Sequence, residues 1–482
     1  MLVDVHGKPL TLQPKPVRAK YDAASRDEDN QRHWANADAL SAVSANSSSV
    51  RRTLRTRSRY ECTNNSYAKG IVGTLAAYTV GSGPTLCLTY CGPETTDDAR
   101  KASQIVEAQF KTWAYVRKLP QMLLTMQKAL DVDGESFAVF TSGKANMHTP
   151  VTLSLRTYEA DHFDSFTSGG AWMVDDAGIH IDENGDPTEY AFSASHPGDH
   201  LAINFNTEWV GADSVIHLFR KDRPGQLRGV PKTTPALPLF AMLRRFTLAT
   251  IVAAETAADF AAIIYGDSAG EEADTLEPWA RINIERGALL SAPEGSRLAQ
   301  LKAEHPNATY DEFVRAILRE IARCLDVPAV LAIGDASTYN YSSGRLDLQS
   351  FQRSMEVDRA LTIERDCLDR IFEAWLDEAL LIDGFLPPEF VSNVAFYEWA
   401  WRWTSPAHVD RKKEADGQAA ELANNTTTLS REYARQGLDW ENELRQRARE
   451  IAVMNELGLS TVKPNEPLSV QPDNGTTDMA QA

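Results

Sequence analysis

The fold of this chain is decided by a stretch that begins Tyr310-Asp-Glu-Phe-Val-Arg-Ala-Ile-Leu-Arg-Glu-Ile-Ala-Arg-Cys-Leu325 and ends at Gly384. Its apolar residues recur at spacings of three and four, which is the period of one helical face. Val327-Pro328 ends this first helix, because proline has no amide hydrogen and restricts the residue before it. The pattern therefore predicts an amphipathic helix that packs by one side.

A polar loop and a second, much longer helix follow. The loop reads Gly334-Asp-Ala-Ser-Thr-Tyr-Asn-Tyr-Ser-Ser-Gly344, and helical spacing then runs from Arg345 to about Leu381. Gly384 stands just past the end, where a left-handed cap is expected. A helix of roughly 35 residues is about 50 Å long and about three times the mean length. Such a helix needs neighbours to pack on, and the polar loop at its head suits a surface or a pore.

Composition limits the class of protein. The chain has 482 residues, of which 43% are hydrophobic, enough for more than one folded unit with a substantial core. There are 49 Lys and Arg residues against 67 Asp and Glu residues, for a net charge of −18. This balance argues against a protein that coats nucleic acid, because phosphate neutralisation requires a basic surface. It is compatible with a protein past which nucleic acid slides without sticking.

Cysteine usage and hydropathy indicate a reducing compartment and no membrane. The five cysteines are odd in number and loosely spaced, which predicts free thiols rather than a disulfide framework or a zinc set. No signal peptide is apparent at the start of the sequence. The most apolar stretch, from Phe246 to Tyr265, carries Glu255 and Asp259, so we interpret it as a soluble helix rather than a bilayer span.

A basic helix is predicted to begin near Val50, after a polar arm over residues 1–33. Its first part carries five arginines: Arg51, Arg52, Arg55, Arg57 and Arg59. Two interpretations are open. The cluster contacts DNA or an acidic partner, or it pairs with acids elsewhere in the chain.

The spacing of apolar residues changes in the middle of the chain. Residues 95–132 predict two helices with a break at Lys118-Leu-Pro, and residues 134–218 have the β-like period of two. Within this region Asn184-Gly185 predicts a hairpin turn. The surrounding acids do not have the alternating ligand positions of a calcium-binding loop. An alanine-rich helix over 235–264 would allow close helix packing, either in a ring of identical helices or in an ordinary core.

No pattern for catalysis or cofactor binding is present. There is no P-loop and no nucleophile elbow, and Gly81-Ser-Gly83 lacks the third glycine of a dinucleotide site. The histidines are scattered and complete no metal set. The sequence therefore predicts a protein that is not an enzyme, with no metal and no cofactor.

Several segments, in their order and spacing, resemble the lambda-type portal proteins of tailed bacteriophages. They are Asn64-Asn-Ser-Tyr-Ala-Lys-Gly70, Val80-Gly-Ser-Gly-Pro84, Arg228-Gly-Val-Pro231, Tyr341-Ser-Ser-Gly-Arg345, Leu368-Asp-Arg-Ile-Phe-Glu-Ala-Trp-Leu376 and Trp401-Arg-Trp403. No one segment decides the matter, but together they extend over most of the chain.

The resemblance implies a mainly helical α+β portal fold with wing, stem, clip and crown, assembling as a ring. Its parts would be an extended N-terminal arm (1–33), the wing (34–230), the first stem helix (231–264), the clip (265–308), the second stem helix (309–328), a tunnel loop (329–344), the long helix with the rest of the wing (345–407), the crown (408–457) and a disordered tail (458–482).

The resemblance also implies a function. Portal rings, typically of twelve subunits, occupy one capsid vertex of the virion and are assembled in the host cytoplasm, away from membranes. Double-stranded DNA passes through the ring during packaging and ejection. The terminase large subunit docks on it and hydrolyses ATP, head-tail connector proteins later replace the terminase, and the major capsid and scaffold proteins surround it. The portal itself has no active site.

Particular residues take roles from this resemblance. The tunnel loop lining the channel would present Thr338, Tyr339, Asn340, Tyr341, Ser342 and Ser343, with Arg345 beyond it. The clip would present Asp267, Glu271, Glu272 and Asp274 to the terminase and connector. An acidic channel wall repels phosphate, so that DNA can slide.

Two other classes of function remain open. A structural or adaptor protein could assemble by its long helices without a DNA channel, and ring formation with a hole wide enough for DNA distinguishes the two. An enzyme with a dispersed active site would show hydrolysis by the pure protein.

Overall fold

The structure, a computed structural model, describes most of the chain. The described residues are 28–93, 97–145, 149–163, 178–199, 207–259, 263–266, 296–299, 307–337, 340–404 and 411–459.

Helices make up most of the described residues. They are α1 (Glu28–His33), α2 (Ala42–Ala45), α3 (Ser48–Asn64), α4 (Ser66–Val80), α5 (Asp97–Val116), α6 (Leu119–Asp133), α7 (Leu237–Asp259), α8 (Asn307–Cys324), α9 (Ala329–Ile333), α10 (Tyr341–Asp358), a π-helix (Arg359–Asp369), α11 (Arg370–Leu380), α12 (Pro388–Ser392), α13 (Arg411–Ala423), α14 (Leu429–Arg435) and α15 (Trp440–Glu456). Short 3₁₀ turns cover Ala160–Phe163, Ala212–Ser214, Thr234–Ala236 and Val394–Phe396.

The strands are short and pair in antiparallel fashion. They are β1 (Thr85–Tyr90), β2 (Glu135–Ser142), β3 (Leu153–Tyr158), β4 (Ile179–Ile181), β5 (Pro187–Ser193), β6 (Thr207–Gly211), β7 (Val215–Phe219), β8 (Ile263–Gly266), β9 (Ser296–Ala299) and β10 (Tyr397–Arg402). Among the described residues these strands form four sheets, in the orders β1-β10, β3-β2-β7, β4-β5-β6 and β8-β9. These elements confirm the predicted mainly helical α+β class.

The main core is aromatic and lies where α5, α6 and α11 meet β1 and β10. Trp113 and Trp375 are fully buried there. The ring of Phe110 stands edge-on to that of Trp375, with centroids 5.3 Å apart, and edge-on to Phe372 at 5.4 Å. Aromatic pairs in this geometry add to the stabilisation from buried area alone. The C-terminal half of the long helix is thereby fixed in the core.

A second core lies under the N-terminal half of the same long helix. Phe351 and Met355 of α10 pack there with Leu318 and Ile321 of α8 and with Phe240 of α7. The long helix thus joins two separate apolar clusters, and the described residues place its two halves in different surroundings.

Several predicted boundaries are confirmed. α5 and α6 are separated at Lys118, which adopts a left-handed φ of 57°, and the proline of the predicted break lies in the first turn of α6. Asn184-Gly185 forms the turn between β4 and β5, and Gly185 has a positive φ of 88°. Glycine is favoured there because it carries no Cβ.

Three boundaries differ from the prediction. The basic helix begins at Ser48 and ends at Asn64, and the Oδ1 of Asn65 then accepts from the backbone N–H of Tyr67 at 3.1 Å and so caps a second helix, α4. The last six residues of the predicted extended arm form α1, and residues 1–27 lie outside the described residues. Residues 458–459 of the predicted tail are described, and the rest of that tail is not.

The predicted first stem helix is also too long at its end. The structure ends α7 at Asp259 and places Ile263–Gly266 in a strand paired with Ser296–Ala299. The β-branched pair of isoleucines followed by tyrosine favours a strand over a helix. Most of the predicted clip lies outside the described residues.

A partly buried acid beside the main core makes stability depend on pH. The Glu107 carboxylate accepts from the backbone N–H of Leu88 at 2.7 Å, and burial raises the pKa of Glu107 to about 7 from an ordinary 4.5. The folded state therefore binds the proton more tightly than the unfolded state. We expect the free energy of unfolding to fall by about 1–3 kcal/mol as the pH rises from about 4.5 to about 7.

The test is denaturant unfolding of Glu107→Gln across this pH range. Glutamine keeps the acceptor for the Leu88 N–H but does not ionise, so its stability profile should be flatter than that of the wild type. The exposed substitution Glu373→Gln is the control and should leave the profile unchanged. If the unfolding free energy of Glu107→Gln depended on pH as steeply as that of the wild type, Glu107 would not be the source of the pH dependence.

Candidate functional site

The head of the long helix begins earlier than predicted. Asn340 is its N-cap: Oδ1 accepts from the backbone N–H of Ser343 at 2.9 Å, and the Ser343 hydroxyl donates to the Asn340 carbonyl at 3.2 Å. Asparagine is among the best N-cap residues. Tyr341, Ser342 and Ser343 therefore lie in the first turn of α10 rather than in a loop.

The rest of the predicted tunnel loop is only partly described. Ala329–Ile333 forms the short helix α9 instead of a loop, and Gly334 closes it with a left-handed φ of 76°. Arg345 is exposed in the second turn of α10. Thr338 and Tyr339 lie outside the described residues. What the structure shows is a capped helix end that follows a short connecting segment, and this end, Asn340–Arg345, is called the head below.

The long helix is continuous from Tyr341 to Leu380, but its middle is not α-helical. Arg359–Asp369 forms a π-helix. The α-helical period of the apolar residues does not predict this segment. A signal was present, since polar residues recur five positions apart at Arg359, Glu364 and Asp369.

The helix pair α7–α8 exposes an apolar face. Phe246 stacks on Tyr310 of α8 with ring centroids 5.6 Å apart, which fixes one side of α7. On the other side Leu248, Ile251 and Val252 are 56%, 49% and 57% exposed. These three residues have the spacing of one helical stripe and are called the α7 apolar face below.

The same helix has the length and composition of a membrane span. Of the described helices, the one over Thr234–Glu255 is long and apolar enough to cross a bilayer, and 22% of its apolar window is buried in the chain. Arg244 lies within it, and its guanidinium is 3.1 Å from the Glu61 carboxylate of α3. This ion pair attaches the N-terminal half of α7 to the body of the protein.

The predicted basic surface is corrected by the structure. Arg51 and Arg55 are buried. The Arg55 guanidinium is 3.2 Å from Asp161, and Arg59 reaches Asp133 at 2.7 Å and Asp161 at 2.8 Å. These arginines are four residues apart, so they share the helix face that packs on the sheet. Pairing with acids, the second interpretation of the sequence, is what the structure shows for Arg55 and Arg59.

The remaining two arginines of the cluster are on the other side of α3. Arg52 and Arg57 are exposed, and contact with DNA or a partner remains a prediction for them. The predicted clip acids Asp267, Glu271, Glu272 and Asp274 lie outside the described residues.

A buried ion cluster is centred on Glu135 of β2. Its two carboxylate oxygens accept from Arg228 at 2.6 and 2.7 Å, from the backbone N–H of Gly229 at 3.1 Å and from His217 at 3.2 Å. Burial alone would raise the pKa of Glu135, but the Arg228 guanidinium and the hydrogen bond with His217 outweigh it and hold the pKa well below its usual range. Burial lowers the pKa of His217.

Close backbone packing surrounds this cluster. A Cβ added at Gly229 would lie 1.9 Å from the carbonyl oxygen of Gly134, so only glycine fits. This geometry gives a physical role to the Arg228-Gly-Val-Pro segment that carried part of the resemblance.

One group of side chains has the composition of a metal site. The donor atoms of Glu159, Asp161 and His196 lie within 4.8 Å of one another. Arg59 already bridges the two carboxylates, at 3.1 Å from Glu159 and 2.8 Å from Asp161. A metal ion would have to displace this guanidinium, so the arrangement serves as an ion-pair cluster. The absence of a metal cofactor stays a prediction.

Comparison with known proteins identifies the family. The chain is similar to a chain in the neck of an empty GTA particle, which is 14% identical, covers 80% of this chain and 93% of its own length, and has a TM-score of 0.45. It is also similar to an HK97 family phage portal protein from Corynebacterium diphtheriae, at 13% identity, 71% and 93% coverage, and a TM-score of 0.29. The family model "Phage portal protein, lambda family" matches residues 28–359. Because that match spans well over half of the chain, the chain belongs to the lambda family of phage portal proteins.

Proposed function

We propose that this portal protein forms a closed ring, of about twelve copies, at one capsid vertex, and that double-stranded DNA passes through the ring during packaging and ejection. The observation that carries the proposal is the α7 apolar face, on a chain of the portal family. Large apolar side chains in a continuous exposed stripe mark an interaction site. A second copy of the chain is the proposed occupant.

The ion pair of α7 supports a protein partner over a bilayer. The Arg244–Glu61 contact attaches half of the apolar helix to α3, so a bilayer could not surround that half without breaking a pair. The α7 apolar face lies C-terminal to this contact, on the part of the helix that extends away from α3. A head-to-tail contact that repeats around a closed ring would bury it in every subunit.

The channel lining is proposed to include the head of the long helix. In this proposal Thr338, Tyr339 and Asn340 lead into the first helical turn, where Tyr341, Ser342 and Ser343 face DNA, and Arg345 follows. Neutral and hydroxyl side chains make few lasting contacts with phosphate, and a chain of net charge −18 gives an acidic ring. Such a wall favours sliding over binding.

Partners are assigned in the same proposal. The predicted clip, with Asp267, Glu271, Glu272 and Asp274, would dock the terminase large subunit during packaging and head-tail connector proteins afterwards. Capsid and scaffold proteins would surround the ring, which would be assembled in the host cytoplasm and stay in the virion. The ATP hydrolysis that drives DNA would belong to the terminase, so the portal needs no active site.

Replacement of Arg345 by alanine tests the channel assignment. We expect rings to assemble normally, since Arg345 is exposed, while the yield of packaged genomes falls several-fold because the lining loses its positive contact with phosphate. The measurement is the length and yield of packaged DNA in a complementation assay.

The matched control is Arg353→Ala in the same helix. Arg353 is also exposed, and it pairs with Glu356 at 3.3 Å, away from the head. Its replacement should leave packaging unchanged. Equal DNA yield and length in both variants would show that Arg345 does not act in the channel.

A further inference from the structure

The π-helix in the long helix is unusual in its length. It covers Arg359–Asp369 without interruption, whereas most π-helices are single turns inserted into α-helices. Because the α-helical form has better backbone geometry, a long π-helical segment needs side-chain contacts that hold it. The structure shows which contacts these are.

Three polar residues of the segment lie five positions apart: Arg359, Glu364 and Asp369. The π-helix closes its hydrogen bonds from residue i to residue i+5 and fits more residues into each turn than an α-helix, so residues five apart point in more similar directions than they do in an α-helix. In an α-helix, residues five apart differ in direction by about 140°. The π-helical form therefore brings consecutive members of this series to adjoining positions, which the α-helical form does not.

That face meets one side of strand β10 and the residue just beyond it. Tryptophans alternate there at Trp399, Trp401 and Trp403, and alternate residues of an extended chain point to the same side. The indole N–H groups of Trp399 and Trp401 donate to the Asp369 carboxylate at 3.0 and 2.8 Å. The Trp403 indole N–H donates to Glu364 at 2.6 Å.

The last contact of the series is a cation–π pair. The Arg359 guanidinium lies 4.7 Å from the centre of the Trp403 ring, and it also donates to the backbone carbonyls of Thr79 at 2.7 Å and Tyr78 at 2.9 Å, at the end of α4. These contacts, from Arg359, Glu364 and Asp369 to the three tryptophans, are called the tryptophan ladder below.

The tryptophan ladder fixes the rotation between the two halves of the long helix. On one side of it Phe351 is buried in the second core, and on the other side Phe372 is buried in the main core. A π-helix fits more residues into each turn than an α-helix, so this segment holds surplus residues relative to an α-helix of the same length. If the segment changed to α-helical geometry by one such residue, the α10 half would turn by about 100° and advance by about 1.5 Å. Burial of Phe351 and the ladder oppose this change, while α-helical geometry favours it.

We propose that the tryptophan ladder is a conformational lock, and that its release lets the π-helix change to α-helical register and turn the head of the long helix. Strand β10 precedes α13 in the chain, so a movement transmitted along the chain from α13 would reach the ladder. The consequence for DNA rests on the proposed function, because it requires the head to lie at the channel.

Two deletions test the link between ladder and register. Removing Leu361, which is 64% exposed, and Arg365, whose side chain is 81% exposed, brings the three polar residues to spacings of four. An α-helix places that spacing on one face. We expect the doubly deleted protein to fold with an unbroken α-helix and an intact ladder, and with a melting temperature within about 4 °C of the wild type.

The matched control deletes Glu373 and Asp377, which are exposed but lie in the α-helical part of the long helix. No surplus residue exists there, so the deletion misaligns Trp375 with the main core. We expect this variant to lose more than about 8 °C or to fail to fold. Equal damage from both deletions would overturn the proposal.

Release of the lock is tested by the double substitution Trp399→Phe and Trp401→Phe. It removes both indole N–H donors to Asp369 but keeps aromatic rings. Electron cryo-microscopy should then show residues 359–369 in α-helical register and the head turned. The substitution Trp209→Phe, on β6 and outside the ladder, should leave the π-helix in place. A π-helix unchanged in both variants would overturn the proposal.

The functional consequence is measured with the doubly deleted protein, which cannot change register. It should form normal rings but lower the yield of packaged genomes by about tenfold relative to wild type in the same assay. Wild-type rings that package DNA, together with a deletion variant that packages equally well, would refute a role of the lock in DNA handling. Wild-type rings that package no DNA would instead refute the proposed function, and the structures above would still decide whether the lock exists.

Discussion

Replacing Glu135 by alanine is expected to lower the free energy of unfolding by about 3–5 kcal/mol, because it removes one partner of a buried ion pair. Glu135 is 1% exposed. It binds Arg228 through two hydrogen bonds of 2.6 and 2.7 Å, and Arg55 lies 3.5 Å away. Alanine removes the carboxylate that these contacts share, so the buried Arg228 guanidinium loses two charge-assisted hydrogen bonds. Arg55 loses its contact with Glu135 but keeps the one with Asp161 at 3.2 Å.

Denaturant unfolding of Glu135→Ala, Glu135→Gln and Glu189→Ala measures this effect. Glutamine keeps the shape and one acceptor but lacks the charge, so its loss should be intermediate. Glu189 pairs with His180 at the surface, and its removal should cost less than about 1 kcal/mol. Stabilities for Glu135→Ala and Glu189→Ala that agree within error would contradict the role given to the buried cluster.

The same cluster predicts acid sensitivity. The pKa of Glu135 is held well below its usual range in the folded state by Arg228 and His217. A depressed carboxyl pKa contributes stability that is present above the ordinary pKa and is lost as the pH falls toward the folded value. This loss of unfolding free energy therefore occurs at a lower pH than the range of about 4.5 to about 7 over which Glu107 acts. Glu135→Gln should abolish it, because glutamine does not ionise.

Replacing Leu248 and Ile251 by glutamate is expected to abolish ring assembly while the subunit still folds. Both side chains are about half exposed in the chain, so the charges are tolerated in the free subunit. In a ring each copy would bury them against a neighbour, and an unpaired buried charge is too costly to be retained. The penalty recurs at every interface, so even a few kcal/mol per contact prevents closure.

Native mass and melting temperature of the purified variant measure the two halves of this prediction. Leu381→Glu, at a position 84% exposed and outside α7, is the control and should leave assembly unchanged. Rings that persist in the double glutamate variant would show that the α7 apolar face is not a subunit contact.

The sequence predicts the features that depend on local patterns. The amphipathic stretch from Tyr310 and the long helix follow from apolar spacing, and the break at Lys118 follows from its proline. The Asn184-Gly185 turn follows from dipeptide chemistry. These predictions are confirmed because neighbouring residues determine them.

The missed features depend on contacts distant in sequence. Arg55 is buried because Glu135 and Asp161 meet it from other elements, and nothing in its own helix shows this. The π-helix contacts tryptophans in and just beyond β10, which lie 30 to 39 residues further along the chain than the carboxylates they bind. The start of the long helix at Tyr341 had a local signal, the capping residue Asn340. The polar character of the segment favoured a loop instead.

The central claim is that this portal protein closes into a ring with a channel wide enough for double-stranded DNA. Negative-stain electron microscopy of the purified protein, with native mass spectrometry of the same sample, tests it most directly. The account predicts rings of about twelve copies around a central hole. A compact, closed dimer under every condition of salt and concentration would contradict it.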